Sequence, residues 1–237
     1  MGPHLRTNKL SFLKRCIFFL FTIFFVNNVF SQNLKLNSFT KDINVNELKN
    51  LIYVYASDFF KGRETGKLGQ KRAVKFISEY YESLKIKEAK GTESYFQRMK
   101  LNISGDIVQT ENVVAVIEGS EVPDEYIIIS SHLDHEGEKN GEIYNGADDN
   151  ASGTIGVLKI AEAFQNAVKT GFRPKRSIIF LHLTGEEKGL LGSKFYTENP
   201  LYPLEKTIVN LNIDMIGRID PRHKNNVERY LYLIGTN

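Results

Sequence analysis

Apolar residues recur along this chain with two different periods. Over 46–55 and 70–84 they return every three or four positions, with Ala73, Phe76, Ile77, Tyr80 and Tyr81 on one face. This predicts two helices, separated by the glycine-punctuated loop ASDFFKGRETGKLG at 56–69. Further on the apolar residues fall in short blocks, and 95–103, 112–118 (NVVAVIE), 126–130 (YIIIS), 177–183 (SIIFLHL), 207–213 (TIVNLNI) and 230–235 (YLYLIG) read as strands. Between YIIIS and SIIFLHL, the residues Ile155, Val157, Leu158, Ile160, Ala161 and Phe164 mark an amphipathic helix over 151–167, opened by Asn150 or Ser152. A turn and short helix are expected at 184–193. Strand, helix and strand in alternation predict an α/β three-layer sandwich with a largely parallel (mixed) central sheet, filling one domain over 46–237.

The first thirty residues depart from this pattern, holding seven of the sixteen Phe. Arg6, Lys9, Lys14 and Arg15 form an acid-free basic stretch, and the eleven residues CIFFLFTIFFV at 16–26 follow. That run is short for a membrane span and reads as the core of a signal peptide over 1–31, cut after Ser31 with Val29 and Ser31 as the small residues. An uncleaved anchor is the alternative, kept open by one further apolar turn through Val29 and Phe30. Residues 32–45 form a polar leader.

Removing the signal changes the electrostatics. The whole chain carries +3, but four basic and no acidic side chains leave with residues 1–31, so 27 basic face 28 acidic and the net charge becomes −1. A near-neutral chain gives no electrostatic case for nucleic acid, or for a membrane once the signal is gone. The single cysteine, Cys16, leaves too, so disulfides and thiolate ligands are excluded and a metal site has to be made of His and carboxylates.

Such residues stand where strands end. SSHLDHEG places His132 and Asp134 two apart, on one side of an extended chain, so that Asp134 can accept from one ring nitrogen and leave the other free for a metal. GADDNASG at 146–153 sets two carboxylates at a helix start, where capping needs one acceptor; Asp148 is expected to bind metal instead. In LTGEEKGLLGS, Glu186 and Glu187 point apart, which suits one for metal and one for the attacking water. Asp214 interrupts the end of the strand in NIDMIG, where an unpaired buried carboxylate would be costly. His135 reads as solvated or supporting, and His182 inside SIIFLHL as a satisfied core residue. Arg63 and Glu64 read as an ordinary ion-paired turn outside the site, and Phe59, Phe60, Tyr80 and Tyr81 as packing residues.

In this order and spacing, HLD, GADDNASG, TGEEKGLLGS and NIDMIG resemble the metallopeptidases of the twenty-eighth family, the co-catalytic zinc aminopeptidases, and the likeness extends over roughly residues 46–237. The resemblance implies that His132 and Asp214 hold one zinc, Glu187 the other, and Asp148 bridges both. It further implies that Asp134 orients His132, that Glu186 is the general base, and that the Asp148–Asp149 peptide bond is cis. The substrates implied are peptides with a free amino terminus. Family members complete the second zinc with a histidine well after the NIDMIG strand. Here only His223 follows, read as an exposed loop residue, so the chain is expected to be a carboxy-terminally truncated enzyme of impaired activity, holding one zinc where the complete enzyme holds two. Its uncovered sheet edge is expected to make it prone to aggregate. A glutaminyl cyclase, which shares the fold with a single zinc, and a non-catalytic binding module on the same scaffold are the alternatives.

Overall fold

The computed structural model describes residues 39–220, 222 and 230–235. The expected signal peptide, its cleavage site, the first half of the polar leader and His223 lie outside the described residues. The chain divides into two compact units at Asp42 and Ile43. Of the first, the described part contains a helical turn at Thr40–Asp42. No described helix is long and apolar enough to cross a membrane.

The second unit opens with helix α1 (Val45–Tyr55), capped by the Asn44 side chain, which accepts from the Glu47 N–H at 3.0 Å. The glycine-rich loop follows, and then helix α2 (Leu68–Leu84). A six-stranded mixed sheet comes next, built from β1 (Lys87–Glu88), β2 (Phe96–Ile103), β3 (Asp106–Ile117), β4 (Val122–His132), β7 (Arg176–Leu183) and β8 (Thr207–Asn212). Its order is β1, β3, β7, β4, β8, with β2 also paired to β3. β4 runs parallel to both β7 and β8, and the pairs on the β3 side are antiparallel. A separate hairpin, β5 (Gly137–Lys139) and β6 (Glu142–Tyr144), lies in the loop after β4. Helix α3 (Gly153–Lys169) joins that loop to β7, and α4 (Leu191–Glu198) follows β7.

The strand alternation decides what each face buries. Val113, Ala115 and Ile117 of β3, with Ile178 and Phe180 of β7, pack against α1, α2 and α3. Val114, Val116, Ile179 and Leu181 face the other way, onto Tyr196 of α4 and Tyr202. Both faces of β3 and β7 are therefore covered, which is why these strands read as unbroken apolar runs. At the β8 edge the covering thins, and Ile208, Val209 and Leu211 are exposed. Lys159, buried on α3, pairs with Glu47 of α1 and with Glu162, tying the helix layer together.

Most strands of the sheet fall close to where periodicity predicts, but β1 is not among the expected strands, β4 begins four residues before the expected 126, and two further departures stand out. β3 begins six residues earlier than expected because its first eight residues pair with the whole of β2, from Phe96↔Val113 to Ile103↔Asp106. The expected strand at 230–235 is not formed: no described strand lies beside it to complete a ladder, and Leu231, Leu233 and Ile234 are exposed. The short helix comes later than expected, at Leu191–Glu198.

His182 is a fully buried core residue, as its place in an apolar strand predicts. Its Nε2 lies 2.7 Å from the Tyr81 hydroxyl and its Nδ1 3.2 Å from the Ser131 hydroxyl. Burial pushes its pKa from 6.5 down to about 3. The unfolded chain takes up a proton there below pH 6.5 that the folded chain refuses until far lower pH. The stability this gives is present above pH 6.5 and lost as pH falls toward 3, at up to about 1.4 kcal/mol per pH unit. Urea unfolding between pH 7 and 4 checks this: the acid slope should be shallower in His182→Gln than in the parent.

Candidate metal centre

Three parallel strands end at one level. The β4–β7 register pairs His132 with Leu183, and the β4–β8 register pairs Ser130 with Asn212. The residues just beyond those ends, Glu186 and Glu187 after β7 and Asp214 after β8, therefore gather around His132. Ligand sites in open α/β sheets lie at such strand ends.

The loop that opens α3 supplies the remaining ligand. Asp148, Asn150 and Ser152 point one way and clamp the segment after β8. The Asp148 carboxylate accepts from the Gly217 N–H at 2.8 Å, and Asn150 donates to the Ile213 carbonyl at 3.0 Å. The Ser152 hydroxyl accepts from the Ile216 N–H at 3.1 Å. The Asn150 side chain also accepts from the N–H of Gly153, the first residue of α3, at 2.8 Å. Asp149, between them, faces the opposite side, with an oxygen 3.0 Å from His132 Nε2. The expected role of Asp148 is thus corrected: the carboxylate brought to His132 is that of Asp149, and Asp148 braces the neighbouring segment. The cis peptide bond likewise lies at Asp149–Asn150 rather than Asp148–Asp149. Two adjacent acids carry the same sequence signal, and only their alternation against the β8 segment separates them.

Asp149 belongs to two donor sets. His132, Asp149 and Asp214 form one; His135, Asp149 and Glu187 form the other. Asp214 lies 3.5 Å from His132 Nε2 and is 40% exposed, so it is not the buried carboxylate its strand position predicts. The second set overturns the reading of His135 as solvated: its Nδ1 is buried, 2.6 Å from a buried Glu187 oxygen. Neither atom has a hydrogen-bond partner among the described residues. Two buried polar atoms this close to each other, with no aligned hydrogen bond to either, suit a shared divalent cation. One nitrogen and two carboxylate oxygens per set is a donor chemistry that zinc accepts.

Supporting groups hold the donors in place. Asp134 is fully buried, accepting from the Thr65 hydroxyl at 2.8 Å and the Glu186 N–H at 3.2 Å. It orients His132 differently from expectation: His132 Nδ1 lies 3.1 Å from the Asp134 backbone carbonyl and 3.9 Å from its carboxylate. The proton on Nδ1 leaves Nε2 free for a ligand. Burial opposes a charge on His132, but Asp214, Asp134 and Glu186 outweigh it and raise its pKa to about 9. Burial raises the Glu186 and Glu187 carboxyls above the ordinary range, reinforced by the neighbouring acids. Glu186 lines, with His132 and Asp214, a cavity of about 160 Å³.

Arg63, read from sequence as part of an ordinary ion-paired turn outside the site, is instead fully buried and hydrogen-bonded to backbone carbonyls. Lys61, Gly62 and Arg63 have successive φ values of 49°, 63° and 49°, and this tight turn sends the guanidinium inward. At Gly62 a side chain would come within 2.6 Å of the Tyr144 and Gly137 carbonyls, so glycine is required. The guanidinium donates to the carbonyls of Leu133, Tyr55, Asn145 and Gly146 at 2.8–3.1 Å, joining the HLDH and GADDN loops. A glycine-rich loop carries no signal that one of its arginines will be buried.

Residues 112–229 match the family model described as Peptidase family M28. The rat aminopeptidase NAALADL1 is 36% identical over 124 residues, which are 52% of this chain and 15% of that protein. A probable glutamate carboxypeptidase of Arabidopsis thaliana, LAMP1, is 37% identical over 109 residues, 46% of this chain and 15% of it. This chain therefore spans a small part of the length of these relatives. Among solved structures, a Zn-dependent exopeptidase from Parabacteroides distasonis shares the fold with a TM-score of 0.54 at 17% identity, over 71% of this chain and 61% of that one. The matched segment contains the ends of β4, β7 and β8, and it belongs to peptidase family M28.

Proposed function

We propose that this chain is the metal-binding part of an exported zinc exopeptidase that removes residues from the amino terminus of peptides. The observation that supports it is the pair of three-donor sets sharing Asp149, with the Glu186 carboxyl beside them. His132, Asp149 and Asp214 would hold one zinc, and Asp149 and Glu187 would hold the other. When bound, zinc supplies Lewis acidity that polarises a peptide carbonyl and makes water more acidic. Glu186 takes the proton of the attacking water at a carboxylate oxygen and returns it to the departing amine, a task suited to a carboxyl that burial raises above its ordinary range. Asp134 and Thr65 keep His132 and the Glu186 backbone in register. Exopeptidase action at the amino end follows the family resemblance and the aminopeptidase name of the rat relative; the basic and apolar opening of the chain supports export.

The test is mass analysis of peptides with free or acetylated amino termini. Release of the first residue from the free peptide alone, abolished by a chelator, is the expected result. Loss of the last residue would point instead to a carboxypeptidase, and ammonia loss from a Gln-initiated peptide to a cyclase. Glu186→Gln is expected to lower turnover by about 10²–10⁴-fold with bound metal unchanged. Secretion with a mature terminus at Gln32, read by amino-terminal sequencing, checks export.

A further inference from the structure

We propose that His135 is a direct ligand of the second cation, completing with Asp149 and Glu187 a three-donor site that does not depend on a histidine later in the chain. The inference rests on the metal-binding reading above and concerns this chain's own residues. Three observations carry it. His135 Nδ1 and a Glu187 oxygen are both buried, 2.6 Å apart, and lack hydrogen-bond partners among the described residues, while an Asp149 oxygen lies within 4.8 Å of each.

The ring is also seated in a place prepared for it. Gly146 has a φ of 55°, and a side chain there would come within 2.5 Å of His135 Cγ and Cδ2; the bare backbone of Gly146 is what admits the imidazole. Arg63 then fixes both sides of that seat. Its carbonyl accepts from the His135 N–H at 3.3 Å, and its guanidinium holds the Asn145 and Gly146 carbonyls at 2.8 Å. A solvated histidine needs no such seat. An imidazole aimed at two carboxylates from a rigid loop is the arrangement that holds a divalent cation.

The experiment is zinc titration of the purified chain, with bound metal counted by elemental analysis after dialysis, in the parent, His135→Gln, Glu187→Gln and Asp214→Asn. The parent is expected to bind two ions. His135→Gln and Glu187→Gln should each lose the same one, with affinity for it reduced by more than about 100-fold, the upper range for removing a mere supporting partner of a ligand. Asp214→Asn should lose the other. Thermal unfolding without metal confirms that each variant is folded. A second readout needs no variant of the site: in ¹⁵N-histidine spectra, zinc should shift the Nδ1 resonance of His135 as well as the Nε2 resonance of His132. Two ions retained by His135→Gln with unchanged affinity, or an unmoved His135 resonance in a zinc-loaded parent, would overturn the proposal. One ion in the parent, lost in Asp214→Asn and kept in His135→Gln, overturns it while leaving the metalloenzyme reading intact. No ion in the parent overturns both.

Discussion

Asp149→Asn is expected to empty both metal positions, whereas Asp148→Asn should keep them. The two substitutions are chemically identical and adjacent, so any difference between them reports which carboxylate faces the cations. Asp149 lies in both donor sets, 3.0 Å from His132. An amide in its place offers one weak oxygen and no charge, too little to hold two divalent ions against the cost of crowding them. Asp148 accepts from the Gly217 N–H through one oxygen, a bond that an asparagine oxygen can also accept, and its other oxygen lies 3.7 Å from the exposed Arg218, a pair whose loss costs little. Metal analysis of dialysed proteins gives the primary result. Turnover should follow it: losing even ~4 kcal/mol of Lewis-acid stabilisation is a fall of about 10³-fold in kcat/KM. The reverse outcome, metal lost from the Asp148 variant alone, would restore the assignment that sequence spacing suggests.

Arg63→Met should give the largest loss of stability of any single substitution in the loop before α2. Removing the guanidinium leaves carbonyls of Tyr55, Leu133, Asn145 and Gly146 short of donors in a buried setting. It also removes the positive charge that Asp134, Asp149 and Glu187 stabilise, and that in turn offsets their mutual repulsion. Breaking a buried, hydrogen-bonded charge costs about 3–5 kcal/mol, which in a domain of this size lowers the melting temperature by roughly 10 °C. Arg63→Lys should recover little, because a point charge cannot reach four carbonyls that a planar fork spans. Differential scanning calorimetry of the metal-free proteins measures this. A shift of under about 2 °C would show that these loops hold together without the guanidinium. Zinc affinity should fall along with stability, since the same loops carry His135 and Asp149.

Much of this architecture is legible in the residue pattern because burial on two faces imposes its own spelling. NVVAVIE, YIIIS and SIIFLHL are apolar throughout because α1, α2 and α3 cover one face of the sheet and α4 with Tyr202 the other. YLYLIG has the same spelling and forms no strand, because a ladder needs a neighbour as well as a suitable sequence. The hairpin of β5 and β6 is hidden in a polar loop, since a short pair of exposed strands buries too little to leave a period.

The site divides along the same physical line. By itself the sequence determined the donor chemistry: with a single cysteine, Cys16, far from the strand ends in sequence, clustered His, Asp and Glu there leave few alternatives to a hard or borderline divalent cation. His132 and Asp214 stand out as candidates on that ground, because each follows directly on an apolar strand that sets its direction, whereas the choice between Glu186 and Glu187 rests on the family resemblance. Tertiary structure alone decided between Asp148 and Asp149, since adjacent residues face opposite sides and the clamp on Ile213–Gly217 selects the register. It alone brought His135 to Glu187 and drew Arg63 beneath both loops, because these meetings join residues 52 and 70 or more positions apart. Periodicity records which side of its own element a residue faces, whereas which distant residue waits there is set by how the elements pack.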